Sequence, residues 1–150
     1  MVGQHVSYKN LKLLLVEKAK KKLLLTKPSF FKDLRRALEC FHTFWPAMDK
    51  NEIQMHLTLC GVSKIKSLNK KYRKIDKVTD VLSFPLHEDL YPYVGRSRKS
   101  FQPVLDLGDI FICREVAARQ AENFGRSYQE EVIYLLIHSF LHLLGFDHAT

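Results

Sequence analysis

Residues 127–148 read SYQEEVIYLLIHSFLHLLGFDH and contain the helix with the clearest boundaries in the chain. Ser127 and Glu130 have the S-x-x-E spacing of a capping box, which predicts that a helix starts here. The segment is apolar almost all round from Val132 to Leu144, a pattern typical of a helix buried in the centre of a domain. Gly145 stands where a residue in the left-handed conformation would end the helix. We therefore predict a central buried helix that ends in a turn at Gly145.

This helix carries a pair of histidines, and a third follows the turn. His138 and His142 are four residues apart, so their side chains project from one face. With His148 the spacing is H-x-x-x-H-x-x-G-x-x-H, and three imidazoles with an open fourth position are typical of catalytic zinc, whereas structural zinc normally has four protein ligands. The alternative is a set of ordinary core histidines, but buried imidazoles cost stability unless their nitrogens are satisfied. We predict that the three histidines bind one divalent ion, with zinc as the expected metal.

The same spacing occurs in the metzincin peptidases, so the local geometry of the metal site is expected to be metzincin-like. Those enzymes have a glutamate after the first histidine, which serves as the general base. Here that position is Ser139. The pattern therefore favours the metal site but not the peptidase chemistry.

The rest of the chain mixes helix and strand patterns. The segment 11–26 predicts one or two short strands with a lysine-rich turn. Residues 28–45 predict a helix that is capped by Ser29 and has an apolar stripe of Phe31, Leu34, Leu38 and Phe41. The alternation in 52–60 predicts a half-buried strand, with His56 on its polar face in solvent. A short basic helix follows, with Ile65, Leu68 and Tyr72 facing inward.

Two more strands, a long loop and a helix complete the pattern. The strands fall in 79–86 and 104–113, the second with a bulge or close backbone approach at Gly108. Residues 86–103 predict the loop, and 114–125 predict the helix. We therefore predict an α+β fold, in which helices pack on a small, mixed and mostly parallel sheet and residues 1–150 form a single domain of a metal-dependent hydrolase.

The amino-acid composition favours some classes of partner and excludes some kinds of site. The net charge of +8 favours acidic partners such as nucleic acid or an anionic membrane. The three cysteines, Cys40, Cys60 and Cys113, form no CxxC pair, which argues against a disulfide framework and against a cysteine zinc site. The leucine-rich N-terminal segment is interrupted by charges, so we expect neither a secretory signal nor a membrane span.

Three segments resemble the YbeY family of bacterial metal-dependent endoribonucleases and rRNA maturation factors. IHSFLHLLGFDH (137–148) is similar to the family signature H-G-x-L-H-L-x-G-Y-D-H, with Ser139 in place of glycine and Phe146 in place of tyrosine. NKKYRKIDKVTDVLSFPL (69–86) and LGDIFICRE (107–115) resemble the two other family segments, in the same order.

The resemblance implies a zinc-dependent endoribonuclease that prefers single strands and matures the 3′ end of small-subunit rRNA in ribosome assembly and quality control. It implies a cytoplasmic location and association with the small ribosomal subunit. His138, His142 and His148 would be the metal ligands, and Arg73 the basic residue of the active cleft.

Further candidates surround these residues. Arg73 can bind two phosphate oxygens at once, and four lysines near it are candidates for contacts with the RNA backbone, namely Lys70, Lys71, Lys74 and Lys77. The alternative for these lysines is a solvated helix face. Three carboxylates are candidates for orienting the ligating imidazoles by accepting their second N–H, namely Asp80, Asp109 and Asp147. In the 86–103 loop, a basic cluster with aromatic residues is a candidate for holding unpaired bases, namely Tyr91, Tyr93, Arg96, Arg98, Lys99 and Phe101.

Two other function classes remain open from the sequence. One is a metal-dependent peptidase or other hydrolase. The other is a non-catalytic ribosome-assembly factor with a structural zinc, which would need a fourth protein ligand.

Overall fold

The computed structural model describes residues 4–18, 24, 27–44, 52–87 and 104–145. The strands are β1 (Gln4–Tyr8), β2 (Leu11–Glu17), β3 (Glu52–Cys60), β4 (Val81–Pro85) and β5 (Val104–Cys113). The helices are α1 (Pro28–Phe44), α2 (Val62–Arg73), α3 (Arg114–Asn123) and α4 (Tyr128–Leu143). The predicted α+β class is confirmed, while the lysine-rich turn and most of the 86–103 loop lie outside the described residues.

The strands form one mixed sheet in the order β1-β2-β3-β5-β4. The pairs β2–β3 and β3–β5 are parallel, because each connection crosses over through a helix, whereas β1–β2 and β4–β5 are antiparallel. The central strands β2, β3 and β5 thus run parallel to one another, and the edge strands β1 and β4 run antiparallel to their neighbours. The predicted mixed sheet is confirmed, with its parallel pairing at the centre and its antiparallel pairing at the two edges.

Helix α4 begins at the predicted capping box. The Ser127 hydroxyl accepts a hydrogen bond from the Glu130 N–H at 3.0 Å, and the Glu130 carboxylate accepts one from the Ser127 N–H at 2.8 Å. Gly145 has φ +101° and its N–H donates to the His142 carbonyl at 3.0 Å, so the helix ends where the glycine predicted.

The position of α4 differs from the prediction in one respect. It packs against β4, β5, α1 and α3, and the Phe140 ring stacks on Phe41 with centroids 3.8 Å apart. However, Tyr134 and Ile137 are 50% and 39% exposed. The helix lies on one face of the sheet, and its outer side meets solvent because no further layer of described residues covers it. It is therefore central but not buried all round.

Two hydrophobic clusters occupy the two faces of the sheet. The main core combines α1 and α4 with the inward residues of the strands, among them Leu13, Met55, Leu57 and Ile110. The smaller cluster lies under α2 on the opposite face and contains Ile65, Leu82 and the two buried cysteines, Cys60 and Cys113. All three cysteines are free, and burial raises the pKa of the Cys60 thiol to about 11.

The two earlier helices differ from the prediction in detail. Helix α1 begins at Pro28, a residue well suited to the first helical turn, so Ser29 lies inside the helix and does not cap it. Phe30 is fully buried there, whereas Phe31 only flanks the core. In α2 the inward face consists of Ile65 and Asn69, with Leu68 partly buried.

The predicted close approach at Gly108 is confirmed. The register of β3 with β5 shifts between Gln54 and His56, opposite this glycine, and Gly108 has φ +131°. A Cβ atom at this position would lie 2.2 Å from the Phe84 carbonyl oxygen. The glycine therefore allows β4 to pair closely with β5.

Candidate active site

A cleft opens where the edge strand β4 meets α4 and the end of α2. Its walls are formed by residues of β4, by the histidine pair of α4, by the last residue of α2 and by the residue before β4. In that order they are Val81, Leu82, Ser83, Pro85, His138, His142, Arg73 and Asp80. Val81, Ser83 and Pro85 alternate with Leu82 and Phe84, which belong to the cluster under α2. The first three therefore face α4 and its histidines.

The histidine pair has the arrangement that its spacing predicts. His138 and His142 project from successive turns of α4, with ring centroids 5.3 Å apart and ring planes at 51°. Both side chains are half-buried in the cleft wall. Two imidazoles at this separation are suitable donors for one metal ion.

The third predicted ligand, His148, lies outside the described residues, as does Asp147. Within the described ranges, no group of three or more His, Cys, Asp or Glu side chains is arranged to hold a metal ion. The predicted three-histidine site thus stays a prediction, with two of its members placed side by side.

The turn after α2 brings Arg73 to this cleft. Lys74 ends the helix in the left-handed conformation, with φ 63°, and its N–H donates to the Asn69 carbonyl. The buried Asn69 amide in turn donates to the Lys77 carbonyl at 3.0 Å. This turn directs the chain from α2 into β4, so that the last residue of the helix lies beside the strand.

Arg73 is fixed to β4 by two contacts. Its Nη2 donates a hydrogen bond to the Ser83 carbonyl at 2.6 Å, and its guanidinium lies over the Phe84 ring, 5.2 Å from the centroid. The side chain is exposed, and a guanidinium has five N–H donors. The hydrogen bond to Ser83 therefore orients the guanidinium and leaves most of its N–H groups available for other acceptors. The structure therefore brings Arg73 and the histidine pair into one cleft.

The four predicted lysines are exposed on the last turns of α2 and in the turn that follows it. Lys70 lies 3.9 Å from Asp76, as does Lys66, and exposed ion pairs of this kind contribute little to stability. Lys71 lies over the Tyr72 ring, 5.1 Å from its centroid. These lysines border the cleft residue Arg73 in sequence but do not line the cleft themselves, so their proposed RNA contacts stay predictions.

Asp80 lines the cleft, and its carboxylate has local partners. Oδ1 accepts hydrogen bonds from the Val81 N–H at 2.8 Å and the Thr79 hydroxyl at 3.3 Å, and Oδ2 accepts one from the Gln120 amide at 3.2 Å. These bonds fix the start of β4 against α3. Whether the carboxylate also orients a histidine stays a prediction.

Asp109 is placed elsewhere. It shares a sheet face with His56, and its Oδ1 lies 3.7 Å from the His56 Nδ1, while Asp106 Oδ2 lies 3.8 Å from the His56 Nε2. Met55 and Leu57, the neighbours of His56, point into the main core beneath α4, so this group lies on the other face. The structure does not bring Asp109 to the histidine pair, because the bulge at Gly108 turns its side chain away. His56, expected in solvent, is instead half-buried between two carboxylates.

The sequence reasoning missed the contribution of β4. Val81, Ser83 and Pro85 form the wall opposite the histidines, and Ser83 supplies the carbonyl that holds Arg73. The available signal was the VLSFP pattern of 81–85, which predicts a strand but not its place at the edge of the sheet. The 88–103 part of the basic and aromatic loop lies outside the described residues.

Known proteins are similar to this chain in sequence and in fold. A family model described as Endoribonuclease YbeY matches residues 15–150. Proteins named Endoribonuclease YbeY from Staphylococcus aureus strains JH9 and Newman are 44% identical over 101 residues, which cover 67% of this chain and 63% of each relative. The match therefore spans less than two thirds of those relatives.

A solved structure agrees with the fold described above. The solution structure of TM1509 from Thermotoga maritima has a TM-score of 0.51 and 25% identity, covering 91% of this chain and 74% of that chain. In the described part of this chain, no helix combines the length and apolar character needed to cross a membrane.

Proposed function

Because this chain belongs to the YbeY family, as its three motifs predicted, we propose that it is a zinc-dependent endoribonuclease that prefers single-stranded RNA. The observation that carries the proposal is the cleft in which a histidine pair and an anchored arginine lie together. Phosphodiester hydrolysis needs an activated nucleophile and a cation near the phosphoryl oxygens, and these residue types can serve both needs.

In this proposal His138 and His142, together with His148, hold one zinc ion. The donor set fits, because neutral imidazoles are preferred zinc ligands and the described pair faces an open cleft. Zinc, when bound, supplies a Lewis acid that polarises a phosphoryl oxygen and acidifies water. The chain contributes a rigid support, since the helix that presents both rings is fixed to the core by Phe140 and Leu136.

Arg73 stabilises the charge that develops on the phosphate. The bond to the Ser83 carbonyl and the contact with Phe84 hold the guanidinium in one orientation before the RNA arrives. Donors oriented in advance cost no reorganisation during the reaction, which is why such contacts contribute to the rate. The remaining N–H groups can donate to two phosphate oxygens at once.

Two nucleophiles are compatible with this cleft, and the products separate them. Attack by water on phosphorus breaks the bond to one ribose oxygen and leaves a linear phosphate end. Attack by the ribose 2′-oxygen expels the 5′-oxygen of the next nucleotide and leaves a 2′,3′-cyclic phosphate. A substrate with a 2′-deoxy sugar at the cleaved position supports only the first route.

The substrate and setting follow from the family. We propose that the RNA is ribosomal, that the reaction matures the 3′ end of small-subunit rRNA during ribosome assembly and quality control, and that the protein acts in the cytoplasm with the small subunit. The support from this chain is its net charge of +8 and the exposed basic residues of α2. A positive surface favours a polyanionic partner.

The test is cleavage of a single-stranded RNA with and without a chelator, beside a casein control. We expect RNA cleavage that stops with chelator and returns with zinc, and no casein cleavage. Casein cleavage without RNA cleavage would favour the peptidase hypothesis. Against that hypothesis, the position of the peptidase's general base is occupied by Ser139, which is fully buried. A tightly bound zinc with four protein ligands and no activity would favour the assembly factor.

Arg73→Ala tests the role of the arginine. We expect the variant to fold and to keep its metal, because the side chain is exposed, but to lose about 10²–10³ in cleavage rate. Arg119→Ala is the matched control, since Arg119 is an exposed arginine of α3 that does not line the cleft. Equal rates in wild type and Arg73→Ala would refute the role.

A further inference from the structure

The Tyr72 side chain is exposed beside the cleft, although its spacing from Ile65 predicted an inward position. Tyr72 is 54% exposed, whereas Ile65 is fully buried. The apolar stripe of α2 ends over β4, the edge strand of the described sheet, where Tyr72 meets Phe84. The end of the stripe therefore presents an aromatic ring to solvent one residue before Arg73.

The ring is held from one side by other aromatic residues. Tyr72 meets Phe84 at 5.2 Å between centroids with planes at 65°, and Phe84 meets Phe111 at 5.9 Å and 76°. Phe84 and Phe111 pack against the buried cluster under α2. This edge-to-face series fixes the orientation of the Tyr72 ring, so a ligand that stacks on it has little side-chain entropy to remove.

Cations alternate with these rings. The Lys71 ammonium lies 5.1 Å from the Tyr72 centroid, and the Arg73 guanidinium lies 5.2 Å from the Phe84 centroid. Arg73 also lines the cleft that contains His138 and His142. An aromatic face next to positive charges fits a ligand with flat π-systems joined by phosphates, which is the chemistry of an unpaired nucleic-acid strand.

We propose that Tyr72 stacks on one unpaired nucleobase of the RNA in the cleft, while the exposed Lys71 side chain moves from its place over the ring to an adjoining phosphate and Arg73 contacts the next one. This inference rests on the proposed function, since it deepens how that site selects its substrate. A duplex keeps its base faces covered by stacking, so Tyr72 is a specificity residue for single strands. It positions the strand and does not touch the reacting phosphate, so its loss acts on KM and Kd more than on kcat.

The test is a double-mutant cycle that combines substitution of Tyr72 in the protein with removal of one base from the RNA. The probe is a single-stranded RNA of about ten nucleotides, within the range of known single-strand sites. Its 2′-O-methyl groups exclude attack by the 2′-oxygen, and a gel run after each titration checks that water has not cleaved it. An abasic nucleotide is moved through every position, and Kd is measured by fluorescence anisotropy for wild type, Tyr72→Leu and Tyr72→Phe. Leucine keeps apolar contact with Phe84 but removes the π face, whereas phenylalanine keeps it.

We expect one abasic position to weaken wild-type binding by about 5- to 150-fold, the range for loss of one stacked base. Tyr72→Leu should weaken binding of intact RNA by a similar factor and show no further loss at that position, and Tyr72→Phe should match wild type. Phe124→Leu is the control, because Phe124 is another exposed ring with an arginine over it but does not line the cleft. Equal abasic penalties in wild type and Tyr72→Leu would overturn the inference.

A second measurement does not depend on a substitution. With 2-aminopurine at the sensitive position, wild type should quench its fluorescence on binding, as stacking does, and an unquenched base throughout the scan would contradict the proposal. Two outcomes separate the stacking role from the proposed function. If wild type neither binds nor cleaves single-stranded RNA, the proposed function fails, and the stacking role fails with it. If wild type cleaves while Tyr72→Leu keeps wild-type KM and Kd, only the stacking role fails.

Discussion

Gly108→Ala is expected to unfold the edge of the sheet that forms the cleft wall. The glycine has φ +131°, a conformation that residues with a side chain rarely adopt, and the strain of such a conformation costs about 1–3 kcal/mol. The new Cβ would also lie 2.2 Å from the Phe84 carbonyl oxygen, well inside the 3.3–3.6 Å that is typical even of a close carbon–oxygen contact. Strand β4 must therefore move away from β5.

The movement of β4 away from β5 adds a loss of hydrogen bonds to the backbone strain at residue 108. Pro85 pairs with Gly108, and the Leu86 N–H donates to the Leu107 carbonyl at 3.1 Å, so a retreat of β4 weakens the ladder at about 1 kcal/mol per hydrogen bond. We expect a total loss of about 3–5 kcal/mol. For a chain of this length that lowers Tm by about 6–20 °C.

The assay is urea and thermal unfolding of Gly108→Ala beside Gly125→Ala. Gly125 also has a positive φ, +68°, but a Cβ there would meet nothing within 4 Å. The control thus carries backbone strain without the clash, and we expect it to lose only about 1–2 kcal/mol. Equal losses in the two variants would refute the argument from the Phe84 contact. In Gly108→Ala we also expect weaker RNA cleavage, since β4 carries the carbonyl that anchors Arg73.

The remaining predictions concern the metal, the helix cap and the charge. Elemental analysis of His142→Ala should show that most of the bound zinc is lost, and its Tm should fall because a bound ligand stabilises the native state. The control His5→Ala on β1 should keep its zinc and its Tm. Full metal content in His142→Ala would contradict the proposed metal site. The hydrogen bond from the Ser127 backbone lowers the pKa of the Glu130 carboxyl below its usual 4.5, so its contribution to stability should be complete above about pH 4.5 and disappear as the pH falls through the lowered pKa. Urea unfolding of Glu130→Gln should therefore show a deficit in unfolding free energy at pH 7 that shrinks as the pH is lowered below 4.5, and a deficit independent of pH would exclude the charged form as its source. If Arg73 and the four lysines each neutralise one phosphate, the logarithm of the RNA association constant should fall with the logarithm of salt concentration at a slope of about −3.5, and a flat dependence would remove the electrostatic argument.

Patterns confined to neighbouring residues predicted local structure well. The capping box, the end of α4 at Gly145, the alternation of β3 and the close approach at Gly108 all appear where the sequence indicated them. Each depends on hydrogen bonds or steric contacts within a few residues, or on a backbone conformation that only glycine adopts readily. The spacing of His138 and His142 belongs to the same class, because one helical turn separates them whatever the rest of the fold does.

The hydrophobic periodicity of the helices was less informative about whether another element covers each helix face. The pattern of α4 predicted burial on all sides, and the stripe of α2 predicted Tyr72 inward, yet both helices have apolar residues in solvent. A period shows which residues share a face, but burial depends on whether another element extends over that face. Strand β4 is the last strand of the sheet among the described residues, and Tyr72 at this edge is 54% exposed.

The amino-acid sequence by itself determined the family, the helix that carries the histidines and the residue types available for phosphodiester chemistry. Only the tertiary structure decided that Arg73 lines the same cleft as the histidines of that helix, because this requires β4 to pair antiparallel with β5 at the edge of the sheet and to offer the Ser83 carbonyl there. It likewise decided that Asp109 leaves the cleft and joins His56, since the bulge at Gly108 shifts the residues that follow it onto the other face. Strand pairing and register depend on burial summed over the whole chain, and a one-residue shift reverses every side chain, so local spacing cannot specify them.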